Sequence, residues 1–154
     1  MEIRIRRAGL EDLEDILHHR RAMFEEMGYR DDGVLNHVEA FSRGYFNKAI
    51  PAGTYVGWLA EDSNGKVIGG GGIVLADWPG FPEEDHARRA WILNMYTEPG
   101  ARRQGVARKL MQAMTEWCRS EGYGSVSLHA SAAGRPLYES LGFQATSEMS
   151  LKLP

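Results

Sequence analysis

The sequence holds a single cysteine, Cys118, among 154 residues. One thiol cannot close an intrachain disulfide, so nothing calls for an oxidising compartment. Cys118 reads as a small buried hydrophobe on a helix. No apolar run approaches the roughly 20 residues needed for a helix to cross a bilayer, which argues against a membrane role. The opening Met1-Glu2-Ile3-Arg4-Ile5-Arg6 alternates and lacks the apolar core of a signal peptide, so a cytoplasmic location is expected. Basic excess is missing too. Lys and Arg number 18 against 21 Asp and Glu, a net charge of -3, which argues against a nucleic-acid partner. There is no Gly-x-x-x-x-Gly-Lys-Ser/Thr phosphate loop. Internal repeats, low-complexity tracts and linkers are absent. With 43% hydrophobic residues, the chain suits one compact domain.

Periodicity orders the elements. Ile3 and Ile5 alternate with arginines as in a short strand with one wet face. Leu10, Leu13, Ile16, Leu17, Met23, Phe24 and Met27 follow helical spacing up to Gly28, and a second helix is predicted from Val34 to Ala49, ended by Pro51 and Gly53. Tyr55–Leu59 and Val67–Leu75 flank the turn signal Asp62-Ser63-Asn64-Gly65 and predict a hairpin. A polar loop covers residues 77–89. Ala90–Thr97 reads as a buried strand, Gln104–Ser120 as a helix, Ser125–Ala130 as a strand, and Gly134–Leu141 as a short helix stopped by Gly142. The tail from Phe143 to Leu153 is expected to add a last strand or two. This order favours an α/β sheet with helices on its faces. Gly69-Gly70-Gly71-Gly72 has strands on both sides and no following helix, so a bulge or a close backbone approach explains it better than a dinucleotide fingerprint.

The helix after Pro99 starts with the wrong charges. A helix N-terminus carries partial positive charge and unpaired amides, and acidic or capping residues normally sit there. This one offers Arg102, Arg103, Arg108 and Lys109, with no carboxylate between Pro99 and Glu116. A docked anion would turn that mismatch into an attraction, and Gly105 and Ala107 would let phosphate oxygens reach the backbone. A solvated basic helix end is the alternative.

At this point the sequence resembles the GNAT superfamily of acyl-CoA-dependent N-acetyltransferases. Arg102-Arg103-Gln104-Gly105-Val106-Ala107 matches its Gln/Arg-x-x-Gly-x-Gly/Ala phosphate motif. Met95-Tyr96-Thr97-Glu98-Pro99 is similar to the strand end before it, and Leu137-Tyr138-Glu139-Ser140-Leu141-Gly142-Phe143 to the family's late helix. The resemblance implies one α/β (α+β) domain over residues 1–154, with a mixed, mostly antiparallel central sheet and helices on both faces. It also implies acetyl-CoA as cosubstrate and no metal. Backbone amides of Arg103, Gln104, Gly105, Val106 and Ala107 would hold the pyrophosphate, with Arg102 and Arg108 adding charge-assisted contacts. The backbone of Met95, Tyr96 and Thr97 would pair with the pantetheine arm, and an N–H there would polarise the acetyl carbonyl. Tyr138 would be the general acid. Ser131 stands where the family often has a cofactor-contacting asparagine.

The base is left open. Ala90–Asn94 contains no acid where some relatives carry a glutamate. Candidates are His129, the acids of the 77–85 loop, a water chain, or an amine that binds already neutral. The acceptor expected from the resemblance is a small-molecule amine or an N-terminal amine. Glu25-Glu26, Asp31-Asp32 and Glu83-Glu84-Asp85 would attract a cationic one. Trp78-Pro79-Gly80-Phe81-Pro82 would wall an acceptor pocket or join a homodimer contact, or simply pack as a loop. A non-catalytic acyl-CoA-binding sensor on the same fold is the rival function.

Overall fold

The computed structural model describes residues 1–154. Strand β1 (Arg4–Arg7) leads through a 3-10 turn at Leu10–Asp12 into α1 (Leu13–Glu26) and α2 (Asp32–Ala52). Strands β2 (Tyr55–Glu61), β3 (Val67–Asp77) and β4 (Arg88–Thr97) follow. A second 3-10 turn at Pro99–Ala101 precedes α3 (Val106–Ser120), β5 (Ser127–Leu128) and α4 (Arg135–Ser140). The sheet order is β1-β2-β3-β4-β5. The first three pairings are antiparallel and β4 with β5 is parallel. The expected mixed, mostly antiparallel α/β sheet is thus the observed one.

Two apolar layers hold it. On one face Leu13, Ile16 and Leu17 of α1 meet Phe46, Ala49 and Tyr55. On the other, Val106, Leu110, Met111, Met114 and Cys118 of α3 cover Val56, Trp58, Ile73 and Ile92. Every residue of β2 is buried, as befits a strand covered on both faces.

Several boundaries differ from expectation, among them β5, which is Ser127–Leu128 and not Ser125–Ala130; four differences have a local reason. Helix α2 begins at Asp32 because the Asp31 carboxylate accepts from the amides of Gly33 (2.9 Å) and Val34 (3.2 Å). Pro51 lies inside its last turn rather than ending it; the stop is Gly53, with φ 74°. Helix α3 begins at Val106, not Gln104, because Arg103 (φ 61°) and Gly105 (φ 86°) are left-handed. The tail forms no strand. Period-2 apolarity needs a paired edge to become a strand, and β5 ends after Leu128, leaving Met149, Leu151 and Leu153 exposed.

The four glycines answer to two causes. Gly70 pairs with Tyr96 and Gly72 with Leu93, so Gly71 faces two residues, Asn94 and Met95. This is a β-bulge in β4. A Cβ on Gly71 would collide with the Met95 sulfur, and one on Gly72 with the Tyr55 hydroxyl.

Candidate functional site

Strands β4 and β5 pair only at Trp91↔Ser127 and Ile92↔Leu128. Beyond Ile92, β4 continues to Thr97 with β3 on one edge and no strand on the other. The bulge at Asn94 and Met95 begins where the two strands part. Unpaired strand edges are templates for an extended guest, and Met95, Tyr96 and Thr97 form such an edge.

The loop after β4 builds the second half of the site. Amides of Arg103, Gln104 and Gly105 donate to no acceptor in the chain. The first bond closing α3 is Lys109 N–H to the Gly105 carbonyl at 3.0 Å, so the first-turn amides are free by geometry. No side chain caps this helix, and its first turn has no acid. Two left-handed residues thus leave a run of unbonded amides at a dipole's positive end. That is a cradle with the chemistry for a pyrophosphate.

The arginines divide their duties. Arg103 is exposed beside the cradle. Arg102 is engaged elsewhere. Its Nε donates to the Thr97 carbonyl at 2.9 Å, Nη2 pairs with Glu26, and the guanidinium lies 5.6 Å from the Tyr96 ring centroid. It holds the strand end and α1 together, which differs from the phosphate contact expected of it. Arg108 donates to Ser140 Oγ at 3.0 Å and ties α3 to α4. Gln104 Nε2 reaches back to the Gly100 carbonyl at 3.4 Å. Val106 is buried and anchors the turn.

Tyr138, on α4, packs against the same core as Met95 and meets Phe143 edge-on at 6.0 Å. Desolvation alone raises its phenol above the ordinary tyrosine value, so it is protonated at neutral pH. Ser131 is used locally: its Oγ accepts from the Gly134 amide at 3.1 Å and its carbonyl from Arg135. His129 lies 5.3 Å from Trp91 and 3.4 Å from Glu148, with its side chain 78% exposed. It directly follows Leu128, the last residue of β5 paired with β4.

Five of the seven clustered acids make contacts within the protein, Glu83 and Asp85 being the exceptions. Glu25 and Asp32 flank Arg21, Glu26 pairs with Arg102, and Asp31 caps α2. The Glu84 carboxylate accepts from the amides of Gly124 (2.8 Å) and Ser125 (3.2 Å), clamping the 78–87 loop to the segment before β5. The Trp78 and Phe81 rings of that loop enclose the Arg89 guanidinium at 5.0 and 5.9 Å.

The polar group behind the bulge is not marked by any local sequence pattern at Asn94. Asn94 is buried, and its Oδ1 accepts from Arg20 Nη1 at 2.7 Å. Its Nδ2 donates to the Tyr55 hydroxyl at 3.1 Å, and Arg20 Nε donates to Ser42 Oγ at 3.0 Å. Beside them His19 is buried against Tyr96, with ring centroids 5.5 Å apart. Burial pulls its imidazole below the ordinary histidine value and keeps it neutral. Exposed His18 holds Glu98 at 2.8 Å. The available signal was Arg20 itself, set on the α1 apolar stripe between Ile16, Leu17 and Phe24.

Known proteins of similar sequence and fold are acetyltransferases of one family. The model of the Acetyltransferase (GNAT) family matches residues 10–143. N-acetyltransferase 8 of Homo sapiens is 31% identical over 94 residues, covering 59% of this chain and 39% of that protein. The chain spans about two fifths of the length of the curated relatives it matches. The crystal structure of a GCN5-related N-acetyltransferase from Ralstonia eutropha is 32% identical, with 99% of each chain covered and a TM-score of 0.90. A predicted acetyltransferase from Clostridium acetobutylicum, solved with acetyl-CoA, is 27% identical at a TM-score of 0.87, covering 99% of this chain and 96% of its own.

Proposed function

Because the chain belongs to the acetyltransferase (GNAT) family, we propose that it moves an acetyl group from acetyl-CoA to a primary amine by direct attack. One observation carries this. The free amides of residues 103–105 and the unpaired edge of β4 after its bulge adjoin each other, joined by the turn at Pro99–Ala101. An anion cradle next to an open strand edge suits a ligand with a pyrophosphate at one end and an amide-containing arm at the other.

The residues then take these parts. Amides from Arg103 to Ala107 hold the pyrophosphate, with Arg103 supplying charge. Arg102 fixes the strand end through Thr97 and Glu26. Backbone groups of Met95–Thr97 align the arm, and an N–H of the bulge stabilises negative charge on the carbonyl oxygen. Acetyl-CoA supplies a thioester carbonyl. The amine nitrogen bonds to the acetyl carbon as the C–S bond breaks. The nitrogen loses a proton and the departing sulfur gains one from Tyr138, which burial keeps protonated.

The acceptor is a small-molecule or N-terminal amine. With Glu25, Glu26, Asp31, Asp32 and Glu84 held in protein contacts, general attraction of cations by these acids is a weak selector. No base is assigned: the amine binds neutral or loses its proton through water. The cradle and the open edge equally suit one rival, an acyl-CoA-binding module without turnover. Incubation with acetyl-CoA and a panel of primary amines, with products read by mass spectrometry, separates the two. N-acetylated product supports the enzyme; acetyl-CoA binding with no product across the panel supports the module.

A further inference from the structure

The β4 bulge is held open by a residue that is costly to place there. The first residue of such a bulge is ordinarily a left-handed glycine. Here it is Asn94, with φ 62°. Asparagine tolerates that region better than most residues, yet still at a penalty glycine escapes. Its side chain is gripped at both ends. Arg20 Nη1 donates to Oδ1 at 2.7 Å, and Nδ2 donates to the Tyr55 hydroxyl at 3.1 Å. A guanidinium can only donate, so Arg20 fixes which end of the amide faces which partner. Arg20 is itself pinned by Ser42 Oγ at 3.0 Å and the Phe24 ring at 4.9 Å. None of its contacts is a carboxylate, which leaves its donors for Asn94 and Ser42. Tyr55 is buried against Phe46, and Gly72 carries no Cβ where the tyrosine hydroxyl lies.

We infer that Arg20 and Tyr55 are positioning residues: by clamping Asn94 from α1 and β2, they hold the bulge that aims the Met95–Tyr96 backbone into the gap beside β5. This rests on the acetyl-transfer function proposed above. The clamp spans three elements distant in sequence and meets at the one point where β4 leaves β5. A polar network of this kind adds nothing to the apolar core that a hydrophobic set would not supply, but it fixes one backbone conformation.

Substitution at Asn94 separates backbone positioning from general stability. Asn94→Ala removes the clamp and leaves a Cβ in the left-handed region, whereas Asn94→Gly removes the clamp but accepts that region freely. The expected result is a fall in kcat of tenfold or more for Asn94→Ala, with KM for acetyl-CoA changed less than threefold. Asn94→Gly should recover at least tenfold of that loss. Arg20→Met should lower kcat more in the Asn94 background than in the Asn94→Gly background. If Asn94→Ala does not fold, Tyr55→Phe, which deletes one hydroxyl, should lower kcat threefold or more at unchanged KM. Wild-type kcat in Asn94→Ala or Tyr55→Phe, or an Asn94→Gly as impaired as Asn94→Ala, overturns the inference while leaving the proposed function intact. A wild-type protein that acetylates no amine overturns both.

Discussion

Gly72 and Tyr55 share one volume: the tyrosine hydroxyl lies where a Cβ on Gly72 would have to sit. The neighbours are a buried ring and backbone, so neither can move far. Gly72→Ala should therefore destabilise the fold by about 1–3 kcal/mol, the usual cost of overpacking. Urea unfolding should show a lower midpoint. An unchanged midpoint would mean that Tyr55 swings aside without cost.

Tyr138→Phe deletes the proposed proton donor and keeps the ring that packs on Phe143. kcat should fall about 100-fold, within the range for general acids, with acetyl-CoA affinity nearly unchanged. Burial raises the phenol, so its proton is retained on the alkaline side. A limb of kcat that depends on that proton should fall only above the ordinary tyrosine value of 10.0. Full activity in Tyr138→Phe would remove the tyrosine from the reaction.

The acid limb of stability should trace to one cluster. Arg6 donates to Asp12 at 2.9 Å and also pairs with Glu61, and these hydrogen bonds hold both carboxyls below their ordinary values. A depressed folded pKa contributes stability above the unfolded value and loses it as pH falls through the folded one. For Asp12 the ordinary value is 3.8 and for Glu61 4.5. Stability should decline below about pH 4.5 through this cluster. Arg6→Met should flatten that decline in urea midpoints measured across pH. A decline as steep as in the wild type would place its source elsewhere.

Burial on α3 pushes the Cys118 thiol up to about 11. Thiolate is the reactive form, so the native protein should resist a disulfide reagent at pH 8 and react readily in denaturant. Equal rates would show that α3 opens easily.

Much of the architecture was legible in local chemistry. Gly105 among arginines, with no acid from Pro99 to Glu116, marked the cradle, and Asn64-Gly65 marked the β2–β3 hairpin. What escaped depended on distant partners. Asn94 looks like any polar residue in a strand; only Arg20, 74 positions earlier, and Tyr55 make it a bulge residue. Arg102 reads as a phosphate ligand until Glu26 and Thr97 fold onto it. The tail shows the converse: Met149, Leu151 and Leu153 carry a strand's period, but pairing is a property of the neighbour, and β5 stops too soon.

The proposed reaction is amine acetylation at the site formed by the α3 cradle and the β4 edge. Amine-dependent release of coenzyme A from acetyl-CoA tests it most directly, with wild type and Gly105→Ala compared side by side. Gly105 has φ 86°, so alanine there strains the turn that presents the amides. The wild type should release thiol only when both acetyl-CoA and a primary amine are present, and Gly105→Ala should raise KM for acetyl-CoA about tenfold. Release that ignores the amine, or a Gly105→Ala protein with wild-type KM, would contradict it.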